Sequence, residues 1–591
     1  MTCGVCPCRL ARVIRFCGPT TRSAQPEVTM PRWSLIVSFV FALFVVAGTP
    51  VLRAQQSTGG TPDLILTNGK IITVDERFTV AQAVAVRGDR IVAVGSTQDI
   101  SRLAGPQTRR IDLRGRSVTP GMIDNHMHLL RGGTTWQWEV RWDGVETRKQ
   151  ALAMLKTRAG SVPAGEWIYT LGGWAIEQFS DDSKPFTREE LDAIAPNHPV
   201  LLQASYREAY LNSRALQLLG VSDTATEPWV VRDSHGKPTG RILEAGFRQL
   251  VAKLPTAKDA EAEASTTRMI RDLNQMGLTA FGSAGCEADV LPIYRKWAQQ
   301  NQLNVRVFCI AGAAAGSPQQ VDQALPRIAA MKLFQGDAWI DQIFFGESVY
   351  GPLHDPMFIV KSDPKPEQLA QWRRMAMAIA EAGLPLHVHA NLTNTIDAFL
   401  DQIEAVHHEH PIKNLRWTLA HVNQLDTPQL ERMKKLNMYA AVHPWAVING
   451  GINREVFGDA ALDMPRLSTI QNSGVMWGFG SDGTRANQIN PFVTLGWAVT
   501  GKMVGGTQAL RPAHTISRED ALIAYTRRNA YFVFQEENLG SIQPGKLADF
   551  LVLDRDYLTV PADQIKDIKP LMTVVGGRIV YDANQSTRNT Q

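Results

Sequence analysis

The chain predicts an α/β protein: a (β/α)8 TIM-like barrel carrying a small β-sandwich domain built from both termini. Three observations carry this reading. Apolar strands alternate with amphipathic helical stretches through the middle of the chain, the pattern of a βα-repeat fold. Eight such strands can be counted, the number that closes a barrel. Both ends of the chain are instead rich in short strands and two-residue turns.

At 591 residues, 44% hydrophobic and 20% charged, the chain has room for a barrel and additions. Residues 1–54 read as an N-terminal extension and signal peptide. An almost unbroken apolar run, Ser34–Val46, follows Arg32 and precedes a polar stretch with small residues, the layout of a secretory signal. Met30 is the expected true start, which leaves Cys3, Cys6, Cys8 and Cys17 upstream of it. Their spacing fits no closed zinc site. The apolar run is short for a stable membrane span. The expected location is therefore secreted or periplasmic, with no membrane span after signal removal. Six arginines in this segment against Glu27 outweigh the net +4 of the whole chain. No basic patch is left to argue for nucleic acid. Cys286 and Cys309 then remain, each in an apolar strand-like run, and read as buried thiols.

Residues 55–117 and 540–591 form the two parts of the β-sandwich domain. Leu64–Thr67 and Lys70–Val74 flank Asn68-Gly69, while Ala83–Arg87 and Arg90–Val94 flank Gly88-Asp89; such turns between apolar strands predict hairpins. The same texture returns in Asp549–Leu553 and in Thr573–Val575, Gly576-Gly577, Arg578–Tyr581. Residues 118–539 form the barrel. Its first strand is read in the stretch Val118–His128, opened by a Pro-Gly turn and closed by two histidines, followed by Leu278–Ser283, Asn304–Ile310, Ile340–Phe345, Leu386–Ala390, Trp417–His421, Met438–His443 and Val475–Ser481. Pro366–Ala382 and Asp426–Leu436 read as two of the helices between them. The first connection is too long for one crossover, so residues 147–256 read as an insertion with its own strand at Pro199–Ala204.

Barrel chemistry belongs at the C-terminal strand ends. There the first strand places His126 and His128, the fifth His387 and His389, the sixth His421 and the eighth Asp482. Alternate residues of a strand share a face, so His126 and His128 can aim at one point. Neutral imidazoles with a carboxylate suit Zn²⁺ or a similar first-row divalent ion.

The motifs name a relationship. Val-Thr-Pro-Gly-Met-Ile-Asp-Asn-His-Met-His, residues 118–128, and Gly480-Ser481-Asp482-Gly483 resemble the first- and eighth-strand motifs of the amidohydrolase superfamily. Asn212-Ser213-Arg214-Ala215-Leu216, Asn490-Pro491-Phe492 and Gly540–Asp549 resemble further segments of its branch similar to N-substituted formamide deformylase. The resemblance implies metal ligands at His126, His128, His389, His421 and Asp482, a divalent metal expected to be zinc in one or two copies, and Asp482 as catalytic proton shuttle. His387, one step deeper, is left as a support or core residue. The implied activity is hydrolysis of an amide-type C–N bond, other than a peptide bond, in a small-molecule substrate. Ester, lactone or cyclic-imide hydrolysis by the same site is the alternative, as is a catalytically silent binding homologue. A homo-oligomer is compatible with the sequence.

Three positions depart from the family pattern. Gln342 stands where many relatives have a fourth-strand lysine that becomes carboxylated; Glu347 nearby could supply the oxygen ligand instead. Arg207 replaces an insertion histidine and would favour a substrate carboxylate, or pair with Glu208. His443 stands where relatives tend to have glutamine and is expected to contact substrate. Trp136, Trp138, Trp142, Trp174 and Trp445 lie near strand ends or the insertion. Trp174 among them is a candidate substrate-binding wall for an apolar or aromatic group.

Overall fold

The computed structural model describes residues 60–586 apart from 225, 287–289 and 313. The N-terminal extension, the signal segment and Met30 lie outside the described residues. Eight consecutive strands form one parallel sheet: β1 (Met122–Met127), β2 (Leu278–Ala284), β3 (Arg306–Ala311), β4 (Ile340–Glu347), β5 (Leu386–Ala390), β6 (Thr418–His421), β7 (Tyr439–Val442) and β8 (Met476–Phe479). Nearly every residue of these strands is buried, as a sheet packed on both faces requires. Beyond the ends of β8 and β1 the chain closes the ring: the Asp482 amide donates to the His126 carbonyl at 2.9 Å, and the His128 amide to the Gly483 carbonyl at 2.8 Å. This is the eight-stranded (β/α)8 barrel that the alternating pattern predicts.

The helices between strands start where local chemistry dictates. Thr427–Lys435 is capped by Asp426, whose carboxylate accepts from the Gln429 amide, with Pro428 in the first turn. Pro366–Glu381 begins with Pro366 itself.

Two further sheets hold the chain ends. One orders Arg90–Gly95, Ala83–Arg87, Leu64–Thr67 and Arg109–Asp112; the other orders Arg578–Asp582, Pro570–Val575, Phe550–Leu553, Ser117–Pro120, Lys70–Ile72 and Val80–Ala81. Leu64, Val84, Val118, Phe550 and Val574 share one apolar cluster, so both ends of the sequence build the same core. The buried ion pair Arg306–Asp549, at 2.8 and 2.9 Å, joins the start of β3 to this unit.

Three expectations need correction. Val118–His128 is two strands, not one: Ser117–Pro120 pairs with Phe550–Val552, and the barrel strand begins after Gly121. A Cβ on Gly121 would lie 2.1 Å from Thr279 Oγ1, which is why the chain can turn there between sheets. Asn68-Gly69 is likewise a corner rather than a hairpin, because its flanking strands belong to different sheets. The Gly88 and Gly576 turns do close hairpins. Finally, Cys286 and Cys309 form a disulfide, with Cα atoms 5.3 Å apart. They are 23 residues apart in sequence, but β2 and β3 are neighbouring parallel strands, and one crossover brings their ends together.

The insertion carries a five-stranded sheet in the order Val230–Arg232, Pro238–Leu243, Glu208–Leu211, Val200–Ala204, Ile168–Leu171, of which the sequence reading found one strand. Among the described residues, no helix is long and apolar enough to cross a membrane.

Candidate metal centre

The C-terminal strand ends bring His126, His128, Glu347, His389, His421 and Asp482 together around the Glu347 carboxylate. One oxygen, Oε2, faces the Nε2 atoms of His126 at 3.5 Å and His128 at 3.6 Å. The other, Oε1, faces His389 Nδ1 at 3.5 Å and His421 Nε2 at 3.1 Å. Asp482 Oδ1 completes the first half, 3.1 Å from His128 Nε2 and 3.8 Å from His126 Nε2. Two ligand atoms bound tetrahedrally to one ion at ~2.1 Å lie roughly 3.4 Å apart, so these separations suit shared coordination. Buried His126 Nε2 and His389 Nδ1 have no hydrogen-bond partner. Nitrogen and carboxylate donors with orphaned, inward-facing nitrogens fit a divalent first-row ion.

Glu347 is the last residue of β4, five positions beyond Gln342. Gln342 is the third residue of β4 and carries a neutral amide. Its backbone carbonyl accepts from Phe334, and Glu347 occupies the middle of the cluster in its place. The close packing under Glu347 requires Gly346: its φ is +147°, and a Cβ there would lie 1.8 Å from the His387 carbonyl oxygen. His421 (φ 74°) and Asp482 (φ 53°) adopt left-handed backbone that side chains rarely tolerate, strain of the kind found at functional sites.

A second layer holds these rings in place. His126 Nδ1 meets His387 Nε2 at 2.9 Å, and His421 Nδ1 meets His443 Nδ1 at 2.7 Å. His443 Nε2 in turn faces Asn125 Oδ1 at 3.2 Å. Fully buried beneath the ligands, His443 is therefore not a substrate contact, contrary to the sequence expectation. Strand alternation does turn it inward, but it lies below the level of the site. His387 has the supporting place expected of it.

Sequence reading missed Asp355 and the part played by Trp445. Asp355 Oδ1 lies 2.7 Å from His389 Nε2, and its carboxylate also accepts from the Asn391 and Leu392 amides. A carboxylate behind a ligating histidine fixes ring orientation and raises basicity. Asp355 sits in a loop outside any strand pattern, so nothing local marked it. Trp445 Nε1 donates to Asp482 Oδ2 at 2.9 Å.

The electrostatics follow from this crowding. Burial would raise the Glu347 carboxyl, but the His126 ring beside it, with the neighbouring His389 and His421 rings, holds it well below the usual carboxylate range. Asp482 is lowered too: burial opposes, and the bond to His128 with the charges of His421, His128 and His126 prevails. Burial would lower His389, but Asp355 and Glu347 raise it to about 10. Burial and the charge on His389 push His421 down to about 4. Burial first, and then the charge of neighbouring histidines, depresses His387 and His443.

Two expected substrate contacts are elsewhere. Arg207 Nη2 donates to both carboxylate oxygens of Glu455, at 2.7 and 2.8 Å, and Nη1 lies 3.7 Å from Glu177. Its expected partner Glu208 turns to Arg241 and Tyr210 instead, because it faces inward from the insertion sheet. Trp174 is fully buried, donates to Thr170 Oγ1 at 2.8 Å and packs with Trp142, Phe179, Phe186 and Tyr210; it is insertion core, not a substrate wall. Of the five tryptophans, Trp445 is the one in contact with the ligand cluster, its ring 4.9 Å from that of His421.

A barrel with histidines and carboxylates converging at its strand ends defines a class, the metal-binding (β/α)8 hydrolase-type barrels. Residues 109–581 match the model of the amidohydrolase family, and the chain belongs to that family. It is 28% identical over 559 residues, 89% of this chain and 99% of the relative, to an N-substituted formamide deformylase from Arthrobacter pascens. Its fold is similar to that of an uncharacterized metal-dependent hydrolase from Pyrococcus furiosus (TM-score 0.59, 22% identity, 84% of this chain and 100% of the other). It also resembles the atrazine chlorohydrolase TrzN from Arthrobacter aurescens TC1 complexed with zinc (TM-score 0.50, 16% identity, 89% and 99%).

Proposed function

We propose that this protein is an exported metal-dependent hydrolase that cleaves an amide-type C–N bond, other than a peptide bond, in a small molecule. The observation that carries this is Asp482. Its one oxygen faces the first-strand histidines and its other is clamped by Trp445. A binding pocket alone has no need of a carboxylate so held.

His126, His128 and Asp482 would hold one ion and His389 and His421 a second, with Glu347 between them. Zinc is the expected metal, in keeping with the donor set and with the zinc complex of TrzN. When bound, such an ion lowers the pKa of water and polarises a carbonyl. Asp482, kept ionised by its histidine neighbours, takes the proton from the attacking water at Oδ1 or Oδ2 and returns it to the leaving nitrogen. Trp445 keeps that carboxylate from rotating between the two transfers. His387, His443 and Asp355 hold the ligating rings in the tautomer that leaves one nitrogen free. Export is supported by the secretory layout of residues 1–54 and by the Cys286–Cys309 disulfide, which suits an oxidising compartment.

The test is Asp482→Asn, assayed against a panel of amides and esters with metal counted by elemental analysis. Turnover should fall by about 10²–10⁴-fold, the usual worth of a general acid–base group, with one or more ions per chain retained. Activity within tenfold of wild type would sink the role of Asp482. Wild type that holds no metal and turns over nothing in the panel would sink the hydrolytic reading altogether.

A further inference from the structure

Beside the ligand cluster, two arginines lack any counter-charge. Arg131 follows His128 by three residues, on the short helix Leu129–Gly133. Arg485 follows Asp482 by three residues, in the loop after β8. Among the described residues neither guanidinium makes a hydrogen bond or an ion pair, and Nε and Nη2 of Arg131 are buried without a partner. Several other buried or partly buried arginines are matched by carboxylates: Arg141 by Glu139 and Asp143, Arg148 by Glu190, Arg241 by Glu208, Arg306 by Asp549. A buried charge without a partner is costly, and proteins usually pair it.

The insertion completes the cluster. Tyr206 stands with its ring 6.0 Å from the Arg131 guanidinium carbon and 5.0 Å from that of Arg248. Among the described residues its hydroxyl makes no hydrogen bond. Arg248 is exposed and tied to Glu244 at 2.8 Å. The insertion also pins the loop carrying Arg485. The Gly173 amide donates to the Arg485 carbonyl at 2.9 Å and Ser205 Oγ to the Ala486 carbonyl at 3.3 Å. A Cβ on Gly172, whose φ is +82°, would lie 2.3 Å from the same Arg485 carbonyl oxygen. Arg485 and Tyr206 are thus placed together by one contact between insertion and barrel.

Burial, with repulsion from Arg131 and Arg248, depresses the Arg485 guanidinium. The carboxylate that reaches it electrostatically, Glu139, is already held by Arg141 at 3.0 Å and Thr135 at 2.5 Å. Asp482, which also acts on Tyr206, is engaged with His128 and Trp445. The cluster therefore lacks an anion.

We infer that Arg131, Arg485 and Tyr206 form an anion-binding subsite next to the metal centre, so that the substrate of this enzyme carries a carboxylate or a similar oxyanion a short distance from its scissile carbonyl. The inference rests on the hydrolytic reading for the identity of that carbonyl, but the subsite itself does not. A guanidinium presents a planar fork that accepts a carboxylate or phosphate through two parallel bonds. Two arginines, each three residues from a metal ligand, place the anion at a fixed offset from the reacting centre. The part expected of Arg207 falls to these residues, because Arg207 is already neutralised by Glu455.

The experiment titrates the holoenzyme calorimetrically with benzoate, phenyl phosphate and neutral benzamide, then repeats this for Arg131→Gln, Arg485→Gln, Arg485→Lys and Tyr206→Phe, each with metal content measured. Benzoate or phenyl phosphate should bind at least tenfold tighter than benzamide, and the tighter of the two identifies the anion. Each Gln variant should lose that preference at unchanged metal content, Arg485→Lys should recover part of it, and Tyr206→Phe should weaken it several-fold without touching the charges. In parallel, N-acetylphenylalanine should be turned over with at least tenfold higher kcat/KM than its carboxamide. Anion affinity that is unchanged in Arg485→Lys, Tyr206→Phe and the Gln variants alike overturns the subsite, since direct binding to the metal would then explain it. Equal turnover of acid and carboxamide, unaffected by the variants, overturns it while leaving the hydrolase standing. Arginine-dependent anion binding with no turnover of any amide leaves the subsite standing and removes the hydrolase.

Discussion

The two halves of the candidate metal centre share Glu347 but are charged differently. On the β1 and β8 side, His126 and His128 face Asp482, a carboxylate held at 2.9 Å by Trp445. On the β5 and β6 side, His389 is bracketed by Glu347 in front and Asp355 behind, while His421 is backed by His443, a neutral base. The outcome is opposite shifts in adjacent rings, His389 up to about 10 and His421 down to about 4. On the mechanism proposed above, both halves would hold an ion and only the first would also move a proton. Asp482 is clamped by an uncharged indole, whereas Asp355 lies behind the His389 ring.

Removing what the halves share should have the largest effect. Glu347→Gln withdraws the carboxylate charge from both sides at once, so metal content should fall below that of wild type and turnover by about 10²-fold or more. Elemental analysis with kinetics decides this; unchanged metal and unchanged rate would show that Glu347 is no ligand. Asp355→Asn should act on the second half alone. Loss of a carboxylate behind a ligating histidine typically costs 10–100-fold in metal affinity, and competition with a chelator should reveal one weakened ion and one unaffected. Equal weakening of both would mean the halves are not separable.

Acid and base should separate the halves by stability when metal is removed. His389, raised from 6.5 to about 10, contributes stability that is full below its unfolded value and lost as pH climbs through 10. His421, lowered to about 4, contributes stability that is full above 6.5 and lost as pH falls through 4. The metal-free protein should therefore be most stable near neutrality and lose on the order of a few kcal/mol toward either side. An ion bound at His389 replaces the proton, so restoring metal should flatten the alkaline limb. A metal-free protein whose chemical denaturation is independent of pH between 6 and 10 would contradict the environment assigned to His389.

The smallest effects belong to the residues that the structure moves out of the site. Gln342→Ala should leave metal content unchanged. Arg207→Ala removes a partly exposed ion pair, worth about 0–1 kcal/mol, and should leave kcat/KM within twofold of wild type. A tenfold loss of kcat/KM in Arg207→Ala would return that guanidinium to the substrate site.

How much of this could be read without coordinates varied with the range of the interaction. The barrel strands were legible because each is a continuous apolar run buried on both faces, and several match the structure to within a residue or two, Leu386–Ala390 at both ends. That His126, His128, His387, His389, His421 and Asp482 meet was legible because strand ends in such a barrel converge; the choice of five among them came from the family motifs. Asn68-Gly69 shows where local reading failed: turn chemistry requires a bend, but only pairing partners far along the chain decide whether it closes a hairpin or crosses between sheets.

What the sequence by itself determined is the type of fold and which histidines and carboxylate stand at the barrel's strand ends, since hydrophobic period and strand alternation are local properties. Tertiary structure alone decided that Glu347 rather than Gln342 stands at the centre and that Asp355 and Trp445 serve His389 and Asp482. It also decided that His443 lies beneath the site, and that Arg131 and Arg485 are left without partners while Arg207 finds one. Each of those depends on which loops meet across the barrel mouth. A side chain's charge partner is a matter of a few ångströms in space, which no spacing along the chain encodes.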